Sequence, residues 1–123
     1  EECAARQTVL LEAYTGLVEM EALCMIDMIN QHVIPSAVSA GMSDEELKKG
    51  VVMVTEGLKA VHEAGDEAAQ AELARKLRLE IMETVRVTCD ETEALVPADK
   101  WTLATYKELL FMDPHMGKTV YTN

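Results

Sequence analysis

The chain has 123 residues, 49% of them hydrophobic and 4% aromatic, and a formal net charge of −11. Its size suits one domain with one modest core, and its apolar content is too high for a disordered segment. The acidic balance argues against nucleic-acid or anionic-membrane binding, which need a basic patch, and no apolar run approaches the ~18 residues of a membrane span.

Eight Met, only six Gly and three Pro, and few aromatics favour helix over sheet. The first helix is predicted over about 4–39. Leu10, Tyr14, Leu17, Glu21, Cys24 and Met28 repeat at four and three, with Leu11, Val18, Met25, Ile29 and His32 as a second stripe beside them. Together they form one wide apolar face. Pro35 disfavours helix at Ile34, so the helix kinks or restarts there, and Ala40-Gly41 marks its end.

The second helix is predicted over 43–63. Ser43 caps it and Glu46, three residues on, completes a capping-box pattern. Leu47, Val51, Val54, Leu58 and Val61 trace a narrow seam. Gly50 and Gly57 lie one heptad apart. They either permit close packing or make this the least stable helix, and the helix propensity of glycine favours the second reading.

The third helix is predicted over 66–95, capped by Asp66 and stopped by Pro97. Its stripe is Leu73, Leu77, Ile81, Thr84, Thr88, Thr92 and Leu95, widened by Met82, Val85 and Cys89. A short fourth helix, capped by Thr102 or Thr105, reaches Leu110. Trp101, Tyr106, Leu109, Leu110 and Phe111 then read as an aromatic and aliphatic clamp. The expected fold is all-α: an antiparallel three-helix bundle with the short C-terminal helix folded back on it. The domain is 1–112 and residues 113–123 are a flexible tail.

The chemistry sought along the chain is mostly missing. His32, His62 and His115 are preceded at three residues by Ile29, Lys59 and Met112, so no Glu-x-x-His pair of a di-iron bundle is present. The expectation is no catalytic, cofactor-binding or metal-binding residue in this segment. Cys24 and Cys89 read as small core residues and His32 as a helix-end histidine. Met20, Met25, Met28, Met53 and Met82 read as core filler ahead of an adaptable groove. Three Cys without a CxxC pair suit free thiols in the cytoplasm or another reducing compartment. The opening Glu-Glu-Cys-Ala-Ala-Arg is unlike a signal peptide, and without an initiator Met the chain reads as a fragment, a processed product or a trimmed part of something longer.

Two stretches resemble the C-terminal helical domain of type III glutamine synthetases. One is Leu10-Leu11-Glu12-Ala13-Tyr14, Val18-Glu19-Met20-Glu21 and His32-Val33-Ile34-Pro35-Ser36-Ala37. The other is Arg86-Val87-Thr88-Cys89-Asp90-Glu91-Thr92-Glu93-Ala94-Leu95-Val96, Trp101 and Tyr106-Lys107-Glu108-Leu109-Leu110-Phe111. The resemblance implies a parent that joins ammonia to glutamate with ATP and a divalent metal, whose ligands lie upstream. It implies for this segment an accessory role, packed on the catalytic domain or on neighbouring subunits of a homo-oligomer. The competing expectation is a freestanding acidic helical module that binds a partner protein.

Overall fold

A computed structural model describes residues 1–104 of the chain. These residues form three helices, and there is no strand among them. The expected fourth helix, the clamp residues Tyr106, Leu109, Leu110 and Phe111, and the tail 113–123 lie outside the described residues.

Helix α1 covers 2–39 without a break. It is α-helical over Glu2–Met28, π-helical over Ile29–Val33 and α-helical again over Ile34–Ser39. A kink or a restart was expected at Pro35; the helix does not restart, and this wide turn carries it on. A proline inside an α-helix has no N–H to donate and its ring strikes the carbonyl four residues back. Here the Ile34 N–H reaches back five residues, to the Ile29 carbonyl, and the helix passes through the proline. It stops at Gly41, which adopts φ +78°. The Met42 N–H bonds to the Ala37 carbonyl at 2.9 Å and the Gly41 N–H to the Val38 carbonyl at 3.0 Å, a Schellman pair. Gly41→Ala puts a Cβ into the left-handed region and is expected to cost about 1–2 kcal/mol. Urea denaturation followed by circular dichroism measures it.

Helix α2 covers Glu45–Glu63 and helix α3 covers 67–95. The caps differ from those expected. Asp44, not Ser43, stands at the α2 N-cap, and its carboxylate pairs with Lys48 at 2.8 Å. Ser43 only accepts a long 3.4 Å bond from the Glu45 N–H, while Glu46 turns to Lys49 at 2.7 Å. The reciprocal Ser43–Glu46 box therefore does not form. Asp66 does stand at the α3 N-cap, without a side-chain bond, and Gln70 ties the turn by donating to the Ala64 carbonyl.

The core draws on all three helices. Val18, Ala22, Ile29, Val33 and Ala37 come from α1, Leu47, Val54, Leu58 and Val61 from α2, and Ala74, Leu77 and Val85 from α3. The α2 seam is the expected one. The two glycines on it serve close packing, contrary to the favoured reading of a weak helix. A Cβ on Gly50 would lie 2.9 Å from Val85 Cγ1, and one on Gly57 would lie 2.8 Å from Leu77 Cδ1 and 3.1 Å from Ile81 Cδ1. Polar contacts join α1 to both partners, Glu19 meeting His62 at 3.1 Å and Glu21 pairing with Arg78 at 3.3 Å.

Two expected stripes are corrected. On α3, which holds a second π-helical turn at Leu77–Ile81, the expected stripe is buried at Leu77 and Thr92, and Val85, expected to widen it, is buried as well. Thr84 and Leu95 of that stripe are exposed, and Val96 is buried just past the helix end. On α1 the stripe of Leu10, Leu17, Cys24 and Met28 is exposed, and the neighbouring one, with Val18 and Ile29, faces the core.

Candidate functional site

The α3 helix ends where Val96 turns to extended backbone ahead of Pro97. One further turn follows, closed by the Lys100 N–H on the Pro97 carbonyl. Two side chains then fasten residues 97–104 to the far end of α1. The Lys100 ammonium donates to the Ser39 carbonyl at 2.9 Å, meeting one of the unsatisfied carbonyls at a helix C-terminus, where a cation is favoured. His32 Nδ1 and Thr102 Oγ1 are hydrogen-bonded at 2.9 Å. His32 thus lies in the π-turn of α1 as a latch partner. Thr102 is engaged with His32, and the short helix that it or Thr105 was expected to cap lies outside the described residues.

Trp101 sits between these latches, half-buried against the core, with Leu103 beside it. Both line an apolar groove of about 790 Å³ between α1 and α3. Met20, Met25, Met28 and Met82 line it too, with Cys24, Cys89 and Ile29. Four of the five methionines read as core filler therefore edge a groove, and Met53 is exposed elsewhere. Unbranched, polarizable Met side chains fit an adaptable surface of this kind. Glu21, Arg86, Asp90 and Glu93 form its charged rim. The Trp101 indole N–H is buried without a partner among the described residues.

Cys24 is exposed on the groove, not in the core, and Cys89 is partly buried. Burial, with a smaller push from Asp90, raises the Cys89 thiol to about 11. A thiolate is the reactive form, so at a given pH below 9 Cys89 carries about 100-fold less of it than an ordinary thiol. Alkylation at pH 8, read by mass spectrometry of peptides, is expected to leave Cys89 behind the exposed Cys3 by at least that factor. Equal rates for the two would contradict the burial. Among the described residues no three His, Cys, Asp or Glu side chains gather as a metal site, and no helix is long and apolar enough to cross a membrane.

A second feature is the outer face of α1. Residues 2–13 are exposed apart from partly buried Thr8 and Leu11. Val9 is 62% and Leu10 70% exposed, and neither lines the groove. A helix that is apolar on both its inner and outer faces is one made to be covered on both. Residues 1–55 match the glutamine synthetase C-terminal domain family.

The glutamine synthetase match covers the whole of α1 and α2 as far as Thr55. It contains the first of the two stretches that resemble the family, from Leu10 to Ala37, and stops before the second, from Arg86 to Phe111. It supports a glutamine synthetase C-terminal domain without separating type III from the rest. The doubly apolar helix lies entirely inside the matched segment. No curated protein matches the chain. The outer face of α1 was in the sequence all along: its stripe is as regular as the core stripe beside it, and only the placing of α2 and α3 decides between them.

Proposed function

We propose that this chain is the accessory C-terminal helical domain of a type III-like glutamine synthetase, whose parent reaction is the ATP-dependent ligation of ammonia to glutamate. In this reading the segment is an antiparallel three-helix bundle onto which the stretch after Pro97 folds back. The opposed order of its contacts supports that arrangement: Gly50 meets Val85 while Gly57 meets Leu77 and Ile81, and Lys100 returns to Ser39. The segment's work is packing. It joins the upstream catalytic domain or a neighbouring subunit of a homo-oligomer, and ATP and the divalent metal bind elsewhere in the parent.

The observation that carries this reading is the exposed apolar face of α1 within the family-matched residues. Apolar area of this kind on a helix face that no neighbour covers marks a protein–protein contact. The test is the native mass of the longer enzyme with and without Val9→Glu and Leu10→Glu. Loss of assembly in the variant is expected, and an unchanged oligomer would count against the proposal.

A further inference from the structure

The wall of the groove between α1 and α3 is rich in sulfur. Met20, Cys24, Met25 and Met28 come to it from α1, Met82 and Cys89 from α3. Met20, Cys24 and Met28 stand at i, i+4 and i+8, one row along the outer side of α1, and all three are exposed. Core packing therefore does not account for that row. Within it the Cys24 thiol points at the Met28 thioether, Sγ to Sδ at 3.9 Å. A long side chain on a helix leans back over the preceding turn, which brings Met28 to Cys24. We infer that Cys24 and Met28 form a binding site for a soft monovalent metal ion, copper(I), with a further thioether of the groove as third ligand.

The spacing suits a metal. At a metal–sulfur distance of about 2.3 Å, two sulfurs 3.9 Å apart subtend about 116° at a shared ion, near the ~120° of a three-coordinate centre. The donor set selects the ion. Thiolate and thioether are soft ligands that favour copper(I). Zinc takes four ligands from Cys, His and carboxylate, and no three of these gather among the described residues. Charge agrees. The Cys24 thiol gives its proton to solvent as its sulfur binds, so one thiolate and one monovalent ion make a neutral complex, which an apolar wall tolerates. A divalent ion would leave a net positive charge there. Cys89 is not the second ligand, because burial and Asp90 hold its thiol protonated and a second thiolate would make the complex an anion. Glu93 leaves the rim acidic even with Arg78 set against Glu21 and Arg86 against Asp90, so a cation meets no repulsion on its way in.

The test is a titration of copper(I) into the full, reduced chain without oxygen, against a chromophoric copper(I) chelator whose absorbance reads both stoichiometry and affinity. One ion per chain is expected. Removing a ligand costs at least what removing an outer-shell partner does, so Cys24→Ser is expected to weaken binding ~100-fold or more and Met28→Leu ~10-fold or more. Cys3→Ser and Cys89→Ser are expected to leave the affinity within about twofold, since neither side chain is a ligand. Cys24 and Met28 are exposed, so both variants are expected to keep the far-ultraviolet circular dichroism of the unaltered chain. Met28→Leu keeps the Cys24 thiol, and it therefore separates a two-sulfur site from a single reactive cysteine. An unaltered chain that takes no copper(I) from the chelator would overturn the inference. So would binding that survives Cys24→Ser or Met28→Leu undiminished, or binding lost with Cys3→Ser or Cys89→Ser. One ion shared between two chains, seen as a doubled native mass, would overturn it too. Val9 and Leu10 stay intact throughout, so failure here is separate from any failure of the assembly proposal.

Discussion

Leu77→Ala is expected to lower the unfolding free energy by about 2–5 kcal/mol, the usual range for emptying a fully buried leucine site. Leu77 is 1% exposed, among the largest fully buried side chains of the core. It stands at the start of the α3 π-turn, where Gly57 lets α2 come close. The glycine makes the prediction sharper. Gly57→Ala alone gains about 1 kcal/mol of helix propensity but drives a methyl to 2.8 Å from Leu77 Cδ1 and 3.1 Å from Ile81 Cδ1. Both neighbours are held in the core, and overpacking there costs about 1–3 kcal/mol, so the single variant is expected to be neutral or destabilised. With Leu77→Ala already made, the nearer obstructing atom is gone and the new methyl meets only Ile81 Cδ1, at 3.1 Å, beside the vacated space. The double variant is therefore expected to recover about 1 kcal/mol of the Leu77→Ala loss. Urea denaturation of the four chains gives the coupling. Strict additivity of the two substitutions would show that the helices do not meet as described.

Val9→Glu with Leu10→Glu carries the other large effect, in assembly and not in folding. Both side chains are mostly exposed here, so the isolated chain is expected to lose no more than about 0.5 kcal/mol. If a partner covers them, burial of each is worth about 1.5–3 kcal/mol, and the pair about 3–6 kcal/mol. That corresponds to a loss of about 10²–10⁴-fold in the association constant. The new carboxylates would also have to leave water, which deepens the loss. A substitution harmless to the fold and severe for assembly is the mark of a docking face.

Much of the helical layout was legible in the chain. The three helices begin and end within about two residues of the expected bounds, because Gly41, the Ala64-Gly65-Asp66 turn and Pro97 punctuate them strongly. The seam of α2 was legible for the same reason that it packs: five apolar residues at regular spacing on an otherwise polar helix. What could not be read was anything that departs from one uniform period. After the π-turn at Leu77–Ile81 the expected Thr84 and Leu95 face outward while Val85 and Thr92 are buried, and no local residue type announces the turn. On α1 the two adjacent apolar stripes were equivalent as sequence, so the groove and the outer face emerged only with the neighbours in place. The glycines of α2 carried an ambiguity that only the distance to Val85 and Leu77 resolves. Pairings such as Lys100 with Ser39 and His32 with Thr102 span some seventy residues or fewer and leave no local pattern.

The central proposal is that α1 is a docking helix, within the accessory C-terminal domain of a glutamine synthetase. Sedimentation velocity of the longer enzyme, unaltered and with Val9→Glu and Leu10→Glu, tests it most directly. The unaltered enzyme is expected as one oligomer, and the variant as smaller species, while the isolated variant segment melts as the unaltered one does. An oligomer of the same mass and stability in both would show that the exposed face of α1 holds nothing together.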